Sequence, residues 1–338
     1  GGARGMGRFL RLHTRAWRRH NHNARTDEGQ RAHFSNKHIC RQDAQIRVSR
    51  IRSRTNILMM KKYNILFLLA ILSVAVSCSD RRGPDAGKRV ITVTIEPLRY
   101  FTERIAGDRF DVATMVPEGG NPETYEPSAR QMVNLSRSVL YVKVGSIGFE
   151  RTWMKKLEQN APHAIVVDSS DGISLVKTEN GIADPHTWMS TANARIIAGN
   201  IYRALVRIDK KDSIYFKKNL DSLVDSINRV DSEVRRLTEK ASHRTFLIYH
   251  PVLTYYARDF GLTQIPLEEE NREPSARQMQ SVINRARNGR AKVFFVQKEF
   301  ANGNISSVAE STGTVMTEID PLGYDWQKEM IKVARCLR

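Results

Sequence analysis

From about position 90 the chain alternates short apolar runs with stretches of helical spacing. Residues 90–95, 110–116, 139–144 and 165–168 have the length and β-branched content of strands, and residues 98–105, 128–135 and 149–157 read as helices between them. Strands that alternate with helices in this way predict a parallel sheet covered on both faces. The rhythm returns later, with apolar runs at 245–249, 293–297 and 315–319, each beside a helical stretch. Between the halves, residues 212–240 place Phe216, Leu220, Leu223, Ile227, Val230, Val234 and Leu237 at alternating spacings of four and three, with no Gly or Pro in the segment. That stripe predicts one helix of about 29 residues, roughly 43 Å long at 1.5 Å per residue. The fold expected is α/β: two lobes, each a parallel sheet covered by helices, joined by one long rigid helix.

A repeat supports two related lobes. Glu126-Pro127-Ser128-Ala129-Arg130-Gln131-Met132 recurs as Glu273-Pro274-Ser275-Ala276-Arg277-Gln278-Met279, one copy in each half. In both copies Pro-Ser precedes a helical pattern, and the Ser can cap the first backbone N–H groups.

The beginning of the chain has another character. Residues 1–58 are rich in Arg and His and show no sustained period; they read as a basic leader without a core of its own. At Met59 and Met60, either of which can be the true start, this changes. Lys61 and Lys62 form a positive region, and residues 65–76 form an apolar run too short to span a membrane, ending in small residues before Cys78. Residues 59–77 are therefore expected to be a lipoprotein signal peptide, with Cys78 as the lipidated first mature residue and residues 78–89 as a polar tether. An N-terminal lobe over 90–211, the linking helix over 212–240 and a C-terminal lobe over 241–338 complete the expected organisation.

Charge follows the same division. The formal net charge is +18, from 54 Lys+Arg against 36 Asp+Glu, but residues 1–59 alone hold 14 basic and 3 acidic side chains. A basic arm ahead of a secretion signal is no basis for a nucleic-acid partner. The three cysteines, Cys40, Cys78 and Cys336, stand too far apart in context for a disulfide framework or a Cys-based zinc knuckle. Metal chemistry would have to use His and carboxylates.

Four histidines follow the signal segment: His163, His186, His243 and His250. His186 lies in Asp184-Pro185-His186-Thr187-Trp188, on a turn before a helix starting near Thr191. His250 follows an apolar strand and precedes Pro251, at a strand's carboxyl end, where open α/β sheets bind ligands. Asp320 holds the matching place after residues 315–319, and Glu123 lies in the Gly-rich loop 117–125. Together these four form a candidate two-His, two-carboxylate site in an interlobe cleft. Two carboxylates neutralise a divalent cation and neutral imidazoles supply borderline-soft donors, a mixture suited to Zn²⁺, Mn²⁺ or Fe²⁺. His163 and His243 read as surface residues. The loops 118–125 and 267–272 are polar and poorly suited to burial, so motion is expected to concentrate there.

At these residues the chain resembles the zinc- and manganese-binding solute-binding proteins of bacterial ABC importers, the cluster A-I family. The resemblance covers about residues 90–335 and rests on Pro122-Glu123-Thr124-Tyr125-Glu126-Pro127, on Asp184-Pro185-His186-Thr187-Trp188, on His250 followed by Tyr256 and Gly261-Leu262, and on Asp320-Pro321-Leu322. It implies two α/β lobes joined by a rigid helix, with His186, His250 and Asp320 on family ligand positions. The first ligand of the family is normally His, and here that position is Glu123. The His-rich loop of many zinc-specific members has no counterpart, since residues 173–183 contain no His. The function implied is an extracytoplasmic lipoprotein of the periplasm or cell envelope, a monomer that captures one divalent metal (Zn or Mn, with Fe a further candidate) and delivers it to a membrane ABC permease. It is not expected to be an enzyme. A metal-dependent hydrolase or a surface adhesin-type lipoprotein would be the alternatives; the first lacks an H-E-x-x-H arrangement or a Ser/His/Asp set in this sequence.

Overall fold

The computed structural model describes residues 88–177, 181–268, 274–298 and 304–338. The leader, the signal segment and Cys78 lie outside the described residues. The first half runs β1 Arg89–Val93, α1 Glu96–Ala106, β2 Phe110–Thr114, α2 Ala129–Leu135, β3 Ser138–Lys143, α3 Gly148–Asn160, β4 Ile165–Asp168 and α4 Thr191–Ile208. The long helix α5, Ser213–Glu239, follows. The second half runs β5 Thr245–Ile248, α6 Thr254–Phe260, β6 Thr263–Pro266, α7 Ala276–Asn288, β7 Val293–Gln297, α8 Asn304–Thr312, β8 Val315–Ile319 and α9 Trp326–Cys336.

The strands form two four-stranded sheets, ordered β2-β1-β3-β4 and β6-β5-β7-β8, and every pairing is parallel. The lobes thus share one topology. Central strands are apolar without alternation because helices cover both faces: Ile91, Val93, Leu140 and Val142 in the first sheet, and Phe246, Leu247, Ile248, Phe294 and Phe295 in the second, are fully buried. The repeated heptapeptide has the same place in each, between the second and third strand. Ser128 caps α2 and Ser275 caps α7, each through a reciprocal box in which the Ser hydroxyl accepts from the Gln131 or Gln278 N–H and the Gln amide oxygen accepts from the Ser N–H.

The hydrophobic pattern predicts three strands in the second half, and the structure has four. The additional one, β6, reads Thr-Gln-Ile-Pro and is too short and too polar to announce itself. It lies at a sheet edge, where the missing N–H of Pro266 leaves no interior ladder bond unmade.

Helix α5 has 27 residues and ends within one residue of the expected bounds. Phe216, Leu223, Ile227, Val230, Val234 and Leu237 on its stripe are buried and Leu220 is partly so. This stripe packs against α1 and α4 of the first half and against α6 and α9 of the second, so residues of both halves meet in one continuous core. Where α1 ends, Gly107 adopts φ 58°, and a Cβ there would fall 2.1 Å from the Tyr215 hydroxyl of α5. A side chain at this positive φ would be strained and would push the Tyr215 ring aside. Ile227→Ala is therefore expected to destabilise the fold by about 2–5 kcal/mol, because the cavity would open in the core shared by both halves. Ile214→Ala, on the solvent side, should change stability by less than about 0.5 kcal/mol; urea unfolding of the two variants checks the contrast.

Candidate metal centre

The segment from β4 to α4 carries His186 to the second half, and three hydrogen bonds fix its course. The Tyr255 hydroxyl donates to the Asp184 carbonyl at 2.7 Å, the Trp188 indole N–H to the Pro321 carbonyl at 2.8 Å, and the Trp326 indole N–H to the Trp188 carbonyl at 2.7 Å. Both Trp rings are buried. Asp184 and His186 form a local turn, the Asp184 Oδ1 accepting from the His186 backbone N–H and standing 2.8 Å from its Nδ1. Burial alone would raise the Asp184 carboxyl; the charge and hydrogen bonds of His186, with a bond from Thr254, outweigh it and hold Asp184 below the ordinary carboxylate range. Ionised Asp184 can only accept, so the His186 Nδ1 carries a proton, and in the neutral ring the Nε2 presents a lone pair.

His250 is placed by the second sheet. It follows β5, and the Gln297 side chain at the end of β7 brackets its backbone, donating to the His250 carbonyl at 2.8 Å and accepting from its N–H at 3.4 Å. The His250 Nδ1 lies 3.1 Å from Glu268 Oε2, which assigns its proton in the same way. Burial lowers the His250 pKa, opposed by the Glu268 hydrogen bond, and the neighbouring His186 lowers it further.

The two Nε2 atoms meet at 3.1 Å, with the rings nearly perpendicular at 83°. Two lone pairs at that distance repel unless a cation lies between them. Nitrogens bound to one tetrahedral zinc at 2.0–2.1 Å stand about 3.4 Å apart, so the pair needs only a few tenths of an ångström to clasp a metal. The Asp184 and Glu268 carboxylates at the two Nδ1 atoms are the kind of outer partner that metal-ligating histidines normally have.

Glu123 lines the same cavity, with Asn121, Pro122, Trp188, Val252, Gln297, Pro321 and Leu322. Its carboxylate is held at the start of α3: Oε1 accepts from the Gly148 N–H at 3.3 Å and Oε2 pairs with Arg151 at 3.2 Å. A Cβ on Gly148 would lie 2.3 Å from Oε2, so the cradle requires glycine. Buried Glu150 fixes this helix start, accepting from the N–H groups of Val144 and Gly145 and the Thr94 hydroxyl, and burial raises its carboxyl against those bonds. Asp320 is placed differently. Its neighbours Pro321 and Leu322 line the cavity, while its own carboxylate pairs with Lys298 at 3.1 Å. Among the described residues no three His, Cys, Asp or Glu side chains form a ready metal cluster. His163 is exposed and His243 half-buried, both just before a strand and so at the sheet edges opposite the site.

Sequence reasoning missed Asp184, Glu268 and Gln297. Asp184 had a signal, two positions before His186 across a proline. Glu268 had a misleading one: it opens an acidic run that reads as a polar loop, yet Leu267 and Glu268 are both buried, because the Leu267 and Glu268 N–H groups continue the ladder to the Ile248 and Tyr249 carbonyls. Residues 269–273 of that loop lie outside the described residues.

The family model described as zinc-uptake complex component A, periplasmic, matches residues 91–335. The chain belongs to this family. It is 26% identical over 285 residues to the high-affinity zinc uptake system protein ZnuA of Bacillus subtilis (strain 168), covering 77% of this chain and 88% of that one. The manganese ABC transporter substrate-binding lipoprotein PsaA of Streptococcus mitis is likewise 26% identical over 270 residues, covering 75% and 87%. A crystal structure of ZnuA superposes with a TM-score of 0.71 at 32% identity, over 74% of this chain and 97% of that one. The zinc-uptake family thus supplies the two-lobe fold, and its members named here take different metals.

A metal held by these two imidazoles would need both Nε2 atoms neutral, so protons would compete with it. Burial keeps His250 neutral below the usual histidine pKa of about 6.5, so zinc affinity is expected to hold to about pH 6 and fall below it. His186→Ala and His250→Ala should each weaken binding by orders of magnitude, and His163→Ala and His243→Ala should leave it unchanged. Titrations at pH 7.5, 6.5 and 5.5 check this; an affinity flat down to pH 5, or equal losses in all four variants, would place the site elsewhere.

Proposed function

We propose that this chain captures one divalent transition metal outside the cytoplasm and hands it to an ABC-type permease, with zinc or manganese as cargo and iron as a further candidate. The observation that carries the reading is the convergence of two tautomer-fixed Nε2 lone pairs from separate parts of the chain. His186 and His250 are the central ligands, and Glu123 and Asp320 complete the shell by reorienting toward them. Lipidation of Cys78 would tether the protein, as a monomer, to a membrane of the cell envelope; no helix among the described residues is long and apolar enough to cross one. Binding is favoured over hydrolysis because the carboxylates beside the imidazoles, Asp184 and Glu268, are buried and committed to the Nδ1 protons. That arrangement immobilises ligands and leaves neither carboxylate placed to activate water.

The identity of the cargo turns on Glu123. Exchanging a hard carboxylate for imidazole favours zinc over manganese and removes one negative charge. Glu123→His is expected to raise the ratio of zinc to manganese affinity by roughly tenfold or more, read by competition with a metallochromic chelator. An unchanged ratio would show that Glu123 is not a ligand, and absence of tight binding by the unmodified chain for any of the three metals would refute the function.

A further inference from the structure

Both candidate carboxylates, Glu123 in the cavity lining and Asp320 next to the lining residue Pro321, are engaged by a basic side chain, one in each lobe. Glu123 pairs with Arg151 at 3.2 Å and Asp320 with Lys298 at 3.1 Å. The exposures are unequal in the same sense: the Arg151 and Lys298 side chains are 57% and 47% exposed, the Glu123 and Asp320 side chains 12% and 18%. The carboxylates are the more buried partners, while the cations reach them on solvent-exposed stems, Arg151 also donating to the Ser146 carbonyl. Arg151 lies in the first turn of α3, whose Gly148 N–H holds the other oxygen of Glu123. Lys298 directly follows Gln297, whose side chain brackets the His250 backbone. Each cation therefore sits one step from the machinery that places a candidate ligand.

We propose that Arg151 and Lys298 are counter-ions that hold Glu123 and Asp320 until a divalent metal displaces them, and that this exchange sets the affinity and the release rate of the site. The inference rests on the metal-capture reading above. With both pairs formed, two negative charges are balanced by two positive ones. When a dication takes the carboxylates, the side chains withdraw into water, which is easy because exposed ion pairs are weak. They stay close enough to recapture the carboxylates as the ion leaves. A carrier must surrender its cargo, and the paired cations would keep two anionic ligands from holding it too tightly.

The test uses the full chain and zinc, with affinity read against a competing chelator and release read by stopped-flow mixing with EDTA. Arg151→Gln and Lys298→Gln should each tighten binding by roughly tenfold and slow release, as expected when the metal no longer has to displace a charge-assisted hydrogen bond from the carboxylate. Arg151→Lys should stay near the unmodified protein. The same substitutions in a Glu123→Gln, Asp320→Asn background should change affinity by less than about twofold, because the carboxylates that mediate the exchange are gone. Matched thermal unfolding verifies folding of the exposed-site variants. A double Arg151→Gln, Lys298→Gln variant that binds no tighter than the unmodified chain would overturn the proposal, and so would an equal gain in the neutralised background, which would indicate a general field. If the unmodified chain binds no zinc, the metal-capture reading falls and takes this inference with it; normal binding with unchanged variants defeats this inference alone.

Discussion

Two imidazole nitrogens held 3.1 Å apart, each with its proton assigned to the far side of the ring, are the constraint on which the site depends. Asp184 and Glu268 create it by accepting from Nδ1 and so turning both Nε2 lone pairs inward. Neither ring can relieve the repulsion by switching tautomer without giving up its Nδ1 hydrogen bond to a buried carboxylate, which is costly in a poorly solvated site. The remaining stabiliser is a cation between them. A proton can serve, and so can a metal, and competition between the two links binding to pH.

Such a distance has meaning only if the elements carrying the histidines are fixed to tenths of an ångström. His250 follows a central strand by two residues and is tied to the sheet through Gln297. His186 sits on an irregular segment, and its position comes from the Trp188, Trp326 and Tyr255 hydrogen bonds into the second half. Helix α5 holds the halves together beneath this arrangement. Its buried stripe has no Gly or Pro at which to bend, and wide opening would expose that stripe to water. Adjustment on binding would then fall to the side chains of Glu123 and Asp320, which are held by Arg151 and Lys298 and lie outside the shared core.

The sequence was most legible where one residue pattern has one physical outcome. The four-three spacing of α5 and the apolar runs of central strands mark burial, and the repeated Pro-Ser with Gln three positions later marks two capping boxes. His186 and His250 stood out because a turn before a helix and a strand's carboxyl end are places where side chains converge. What could not be read depends on long-range contact. Glu268 looks like part of a solvated acidic run until β6 pairs with β5 and carries it beside His250. Asp320 looks equivalent to His250 by its place after a strand, yet Lys298, on the neighbouring strand's end, takes its carboxylate to the rim. No local pattern distinguishes these two outcomes.

X-ray absorption at the zinc edge, on the full chain loaded with one equivalent of zinc, tests the central claim most directly. A first shell of nitrogen and oxygen near 2.0–2.1 Å with the outer-shell scattering of two imidazoles is expected, reduced to one imidazole in either His186→Ala or His250→Ala. A shell without imidazole scattering, or one that neither substitution alters, would contradict it.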